Sequence, residues 1–130
     1  MTMIVLDTHA WIYAVAEPKR LGKAGQRALA RADAVGVSAI SLWEVAVLVE
    51  KERITLDREL LPWTQAALAD PRFVLLPLSP AVIATAHGLR GALDGDPGDR
   101  LIAATALLEG APLVTKDARI AASGVVPVVW

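Results

Sequence analysis

The chain has 130 residues, of which 55% are apolar and 21% charged, with a net charge of −1 and no cysteine. This composition suits one compact domain with a filled core, residues 1–130, and excludes a disordered tail, a disulfide framework and a zinc–thiolate centre. It also argues against a partner gripped by bulk positive charge, so any nucleic-acid role must rest on local charge or on metal ions.

MTMIVLD, at the start, has no basic leader and meets an acid at Asp7, so no signal peptide is expected. No apolar run is long enough to span a bilayer, and a cytoplasmic protein without a membrane partner is the default. MIVL (3–6) reads as a buried strand that stops at Asp7. THAWIYAVAE then reads as a helix running to Pro18, and a second helix covers about 22–34. VGVSAIS (35–41) is β-rich, and 42–54 is helical, with Leu42, Val45, Val49 and Arg53 on a helical spacing. Asp57 can cap a helix over 57–70 that Pro62 constrains. FVLLPLS (73–79) is a strand interrupted by Pro77, and a helix over 80–90 opens on Pro80. The stretch 95–110 has helix start and stop signals at both ends. APLVTKD (111–117) is a strand, ARIAASG a short helix and VVPVVW (125–130) a last strand.

Strands thus alternate with helices along the whole chain. The strands are short and apolar on both faces, which predicts a parallel sheet covered on both sides. The Ala-rich stretch 101–108 can lie close against that sheet.

The acids fall in a pattern. Asp7 follows the first strand, Glu44 follows the second, and Asp117 ends the strand at 111–117. Asp96 and Asp99 open a helix that must run antiparallel to the strands, so it begins at their carboxyl ends. Ligands of open parallel sheets bind beyond those ends. Each acid also has a plain capping role: Ser41-Leu42-Trp43-Glu44 fits a capping box, and Asp96-Pro97-Gly98-Asp99 fits a capped, proline-started helix. Together, however, the carboxylates repel one another, and a hard divalent cation such as Mg²⁺ or Mn²⁺ offsets that repulsion far better than helix dipoles do. A carboxylate-held metal without His or Cys ligands suggests phosphoryl chemistry with a metal-activated water. His9 and His87 lie in no recurrent ligand spacing and read as helix-surface or packing residues.

VLDTH, SLWEVA, DPGDRLIAATAL and LVTKD, in this order and spacing, resemble the signature blocks of PIN-domain ribonucleases, and most closely the VapC-type toxins of toxin–antitoxin pairs. The resemblance covers nearly the whole chain. It implies a three-layer α/β/α fold with a central, mostly parallel sheet. It implies Mg²⁺- or Mn²⁺-dependent endonucleolytic cleavage of RNA, a homodimer and a VapB-type antitoxin lying across the helices near the site. The family's acids fall on Asp7, Glu44, Asp99 and Asp117. Asp96 matches an additional acid, an outer ligand or cap. Thr115 matches a hydroxyl residue that positions a water or phosphate, and Ser41 one that orients Glu44 or the helix start. The chain departs from many relatives at Asp94, where they carry histidine, and at Gly98, where they carry an aromatic residue.

Arg100, Lys116 and Arg119 lie near the acids and either bind phosphate or pair with carboxylates. Lys19, Lys23, Arg27 and Arg31 recur every four residues, as a solvated face or an RNA track. Trp11, Trp43, Trp63 and Trp130 belong in or at the edge of the core, or in a docking groove. A receiver-type phosphotransfer domain fails because no aspartate follows FVLLPLS, and a haloacid-dehalogenase-type enzyme fails because DTH lacks a second acid. The remaining alternative is a PIN-like RNA- or protein-binding module without turnover.

Overall fold

The computed structural model describes residues 2–130. Five strands, β1 (Met3–Leu6), β2 (Ala34–Ser38), β3 (Phe73–Leu76), β4 (Leu113–Val114) and β5 (Val128–Val129), form one sheet in the order β3-β2-β1-β4-β5. Every pairing is parallel, with Leu6 opposite Val37 on one side and Val114 on the other. The helices are α1 (Thr8–Ala16), α2 (Lys23–Arg31), α3 (Ala39–Glu50), α4 (Leu60–Ala67), α5 (Pro80–Gly88), α6 (Pro97–Glu109) and α7 (Ala118–Ser123).

Side chains alternate across a strand, and the core divides accordingly. Ile4, Leu6, Val35, Val37 and Val114 pack on one face with Trp11, Val45 and Trp63 from α1, α3 and α4. Val5, Leu76 and Leu113 pack on the other face with Ile102, Ala103, Ala106 and Ile120 from α6 and α7. The result is the expected three layers, sheet between helices. Small side chains let α6 sit close: Ala103, Ala104 and Ala106 are fully buried, with Ala104 turned toward Val82 and Ala86 of α5. In the middle of β2, a Cβ on Gly36 would stand 2.6 Å from Leu76 Cδ1, so glycine admits the neighbouring strand's leucine.

Several boundaries differ from the sequence expectation. α3 starts at Ala39, because Ser38 rather than Ser41 caps it, its Oγ accepting from Ile40 N. It ends at Glu50 rather than running to 54, because Glu52 takes a left-handed backbone with φ 56°. Asp57 caps nothing; it pairs with Arg58, and α4 begins at Leu60 with Pro62 in its first turn. β4 and β5 are only two residues each. The sheet is not covered throughout, since Val74 and Leu75 on edge strand β3 are 39% and 46% exposed. Among the described residues, no helix is long and apolar enough to cross a membrane.

Candidate active site

The strand order reverses direction at β1, which has β2 on one side and β4 on the other. Such a switch point opens a crevice at the carboxyl ends of the strands. Asp7 leaves β1 there, and Asp117 stands three residues beyond β4. Each starts a helix: Asp7 Oδ1 accepts from Ala10 N (2.8 Å), and Asp117 Oδ1 from Arg119 N (2.8 Å). Asp96 does the same for α6, accepting from Gly98 N (2.9 Å). Three helix N-termini therefore face one crevice, each with its positive dipole end toward the acids.

A groove of about 990 Å³ runs over this crevice and is lined by Asp7, Glu44, Asp96, Asp99 and Asp117. The five acids expected from the sequence thus share one cavity. They do not close into a ligand cluster as they stand: among the described residues, no three acidic or histidine side chains are grouped tightly enough to hold an ion. Arg119 reaches across the groove, its Nη2 donating to Asp99 Oδ2 (2.6 Å) and Asp117 Oδ2 (3.1 Å). Glu44 is held by Thr8, the residue that follows Asp7.

Thr8 is the residue the sequence reading missed. It is buried, and its Oγ1 hydrogen-bonds to both the Glu44 carboxylate and Ser41 Oγ (2.9 Å). A hydroxyl has one proton and an ionised carboxylate only accepts, so Thr8 donates to Glu44 while Ser41 donates to Thr8. Ser41 is therefore not a cap but a fully buried member of α3 that supports Glu44 through Thr8. Thr115, also fully buried, accepts from Asp117 N (3.1 Å), and its hydroxyl stands beside Asp7.

Burial pushes the Asp7 carboxyl above the ordinary range against the pull of Thr115 and the Ala10 N–H, and the Asp117 charge adds to the rise. Glu44 is raised by burial and by Asp96, Asp99 and Asp7, with Thr8 opposing. Asp99 is raised by burial and by its acidic neighbours, with Arg119 opposing. Burial also acts upward on Asp117, but Arg119 and two backbone N–H groups outweigh it and hold that carboxyl low. The pattern is that of anions crowded at one place and only partly neutralised. The donor set is entirely oxygen, which suits a hard divalent cation.

Gly98 gives Glu44 its place. A Cβ there would lie 2.3 Å from Glu44 Oε2, so an aromatic side chain at this position would require a different carboxylate position. Asp94 and Arg100 do not line the groove, and Arg100, expected to bind phosphate or pair with a carboxylate, forms no ion pair among the described residues. Lys116 does, with its Nζ 6.0 Å from the Trp130 ring centroid. His9 is exposed on the groove wall, while His87 is remote and contacts Arg90. Trp11 and Trp63 are core residues in edge-to-face contact, but Trp43 is 64% exposed in the groove. Lys19, Lys23, Arg27 and Arg31 do not border the groove.

A family model described as PIN domain matches residues 4–124. The chain is 45% identical over 120 residues to Ribonuclease VapC22 of Mycobacterium tuberculosis, covering 92% of this chain and 91% of that protein. Among solved structures it is similar in fold to VapBC2 from Rickettsia felis bound to a promoter DNA fragment, with TM-score 0.69, 20% identity and coverage of 98% and 97%. FitAcB from Neisseria gonorrhoeae is a second neighbour, with TM-score 0.68, 24% identity and coverage of 97% and 96%.

Proposed function

Because the chain belongs to the PIN-domain family, we propose that residues 1–130 form a single PIN domain acting as the endoribonuclease toxin of a VapBC-like toxin–antitoxin pair. The observation that carries this reading is the shared groove of Asp7, Glu44, Asp96, Asp99 and Asp117 at the switch point of the sheet. The kinship to a named VapC ribonuclease and to VapBC complexes supports the toxin role and an antitoxin partner. RNA as substrate and a homodimer are our inference for this chain, as is Mg²⁺ or Mn²⁺ as the ion.

The acids of the groove would hold that ion: Asp7, Asp99 and Asp117 as ligands, Glu44 as ligand or as base, and Asp96 as outer ligand and helix cap. When bound, a divalent cation in such a site neutralises phosphate charge and lowers the pKa of a coordinated water. The chain's own residues do the rest. Thr8 and Ser41 hold the Glu44 carboxylate toward the groove, so that it can accept a proton from the attacking water. Thr115 steadies Asp7, and the N-termini of α1, α6 and α7 favour anionic groups at the crevice. A cation held by Asp99 and Asp117 would compete with Arg119, which pairs with both, and the freed guanidinium would be available to a phosphate. Water attack on phosphorus breaks the bond to the 3′-oxygen and leaves a 5′-phosphate.

Incubating the protein with tRNA and rRNA fragments in Mn²⁺ tests this reading. Cleavage that EDTA abolishes, with 5′-phosphate ends, is expected; RNA binding without any metal-dependent cleavage would instead support a binding module.

A further inference from the structure

We propose that Lys51 and Arg53 form a cationic rim that binds a backbone phosphate of the RNA away from the bond that is cut. This rests on the nuclease reading above. Ile40, Trp43, Glu44, Val47, Leu48 and Lys51 all line the groove, at the spacing of one helix face. Lys51 lies seven residues beyond Glu44, two turns along the same face and about 10 Å farther down the axis.

The chain then turns in a way that brings a second cation back. Glu52 N donates to Val49 O (3.0 Å) and Arg53 N to Leu48 O (2.9 Å), the paired bonds of a Schellman helix end. The left-handed residue in that motif is usually glycine, but here it is Glu52 at φ 56°. Strained backbone of this kind collects where geometry serves a function. Lys51 and Arg53 consequently line the acidic groove, while Glu52 between them lines a separate cavity beside Asp57 and Glu59. The one acid of Lys51-Glu52-Arg53 is turned away.

Both cations are exposed, and neither forms an ion pair among the described residues. Arg119, by contrast, is committed to Asp99 and Asp117. A chain of net charge −1 must hold a polyanion beside five carboxylates by cations placed locally. Lys51 and Arg53 are placed for that, with exposed Trp43 in the same groove as a surface for a stacked base.

The test is fluorescence anisotropy with a 5′-labelled single-stranded RNA in EDTA, over a salt series. Lys51→Ala/Arg53→Ala should bind about tenfold more weakly, and its salt slope should fall by about 1.4, for two contacts at roughly 0.7 each. Lys23→Ala/Arg27→Ala, which removes equal charge outside the groove, should change binding by less than about twofold. The rim is overturned if the Lys51/Arg53 variant binds like wild type, if the control loses as much, or if wild type binds no RNA. Cleavage in Mn²⁺ separates this from the nuclease reading. RNA bound through the rim but never cut sinks the nuclease and spares the rim. Cleavage by the double variant with unchanged KM does the reverse, since a rise in KM at constant kcat is the expected outcome.

Discussion

Replacing Thr8 by valine keeps the shape of a buried side chain and deletes one hydroxyl. That hydroxyl serves Glu44 and Ser41 together. Its bond to the carboxylate contributes about 1.5 kcal/mol, the low end for a charged acceptor because Glu44 is half-buried, and the Ser41 bond about 1 kcal/mol. The expected loss is about 2.5 kcal/mol, or about 10 °C in Tm for a chain of this size. The loss has a second consequence. Thr8 opposes the upward push on the Glu44 carboxyl from burial and from Asp96, Asp99 and Asp7. Without it the carboxyl rises further, so a base that must be ionised is lost at higher pH, and the acidic limb of kcat/KM moves upward. Circular dichroism melts at pH 7 and a pH–rate profile measure the two effects, and Thr8→Ser should restore both. A valine variant melting within about 2 °C of wild type, or an unmoved acidic limb, would refute the bridge.

Asp7→Asn should lower cleavage by at least about 10²-fold. The folded pKa of Asp7 is raised, so the folded state holds the proton more tightly than the unfolded chain does. Metal-free stability from this group is therefore greatest below the ordinary carboxylate range and declines as pH rises through the folded value. Urea melts of the asparagine variant at pH 7 should show equal or higher stability, with a weaker decline between acidic and neutral pH. Arg119→Gln frees Asp99 and Asp117, and should tighten Mn²⁺ binding in calorimetry without RNA by up to about fivefold, given about 0.2–1 kcal/mol for an exposed pair; weaker binding would show that the arginine assists the ion instead of competing with it. Glu52→Gly should stabilise the fold by about 0.5–1 kcal/mol, because glycine takes the left-handed position without the Cβ penalty, in part offset by its greater chain entropy.

The layer order and the acidic rim were legible because they depend on chain direction. Apolar strands ending in acids, with helices between them, leave few arrangements, and Asp7, Glu44, Asp96, Asp99 and Asp117 do line one groove. What was not legible depends on contacts between distant residues. Ser41 carries the local signal, a capping box with Glu44, yet Ser38 caps α3 while the Ser41 hydroxyl is turned to Thr8, a residue 33 positions away. Thr8 reads as an ordinary first-turn residue until Glu44, 36 positions on, is brought beside it. Arg119 follows Asp117 closely, but its second partner, Asp99, is set by how α6 and α7 start side by side. The end of α3 was hidden for another reason: nothing in Lys51-Glu52-Arg53 signals a left-handed turn without glycine.

The placement of β4 beside β1 has a bearing on how the protein is made. Translation releases the amino-terminal half first. Asp7 emerges early, but the strand that pairs with β1 on its open side begins at Leu113, and Asp117 comes later still. Until β4 is made, the nascent polypeptide lacks one wall of its own crevice. A chain stopped short of Leu113 leaves β1 without its partner on that side, and Asp117 is then missing from the groove that holds Asp7.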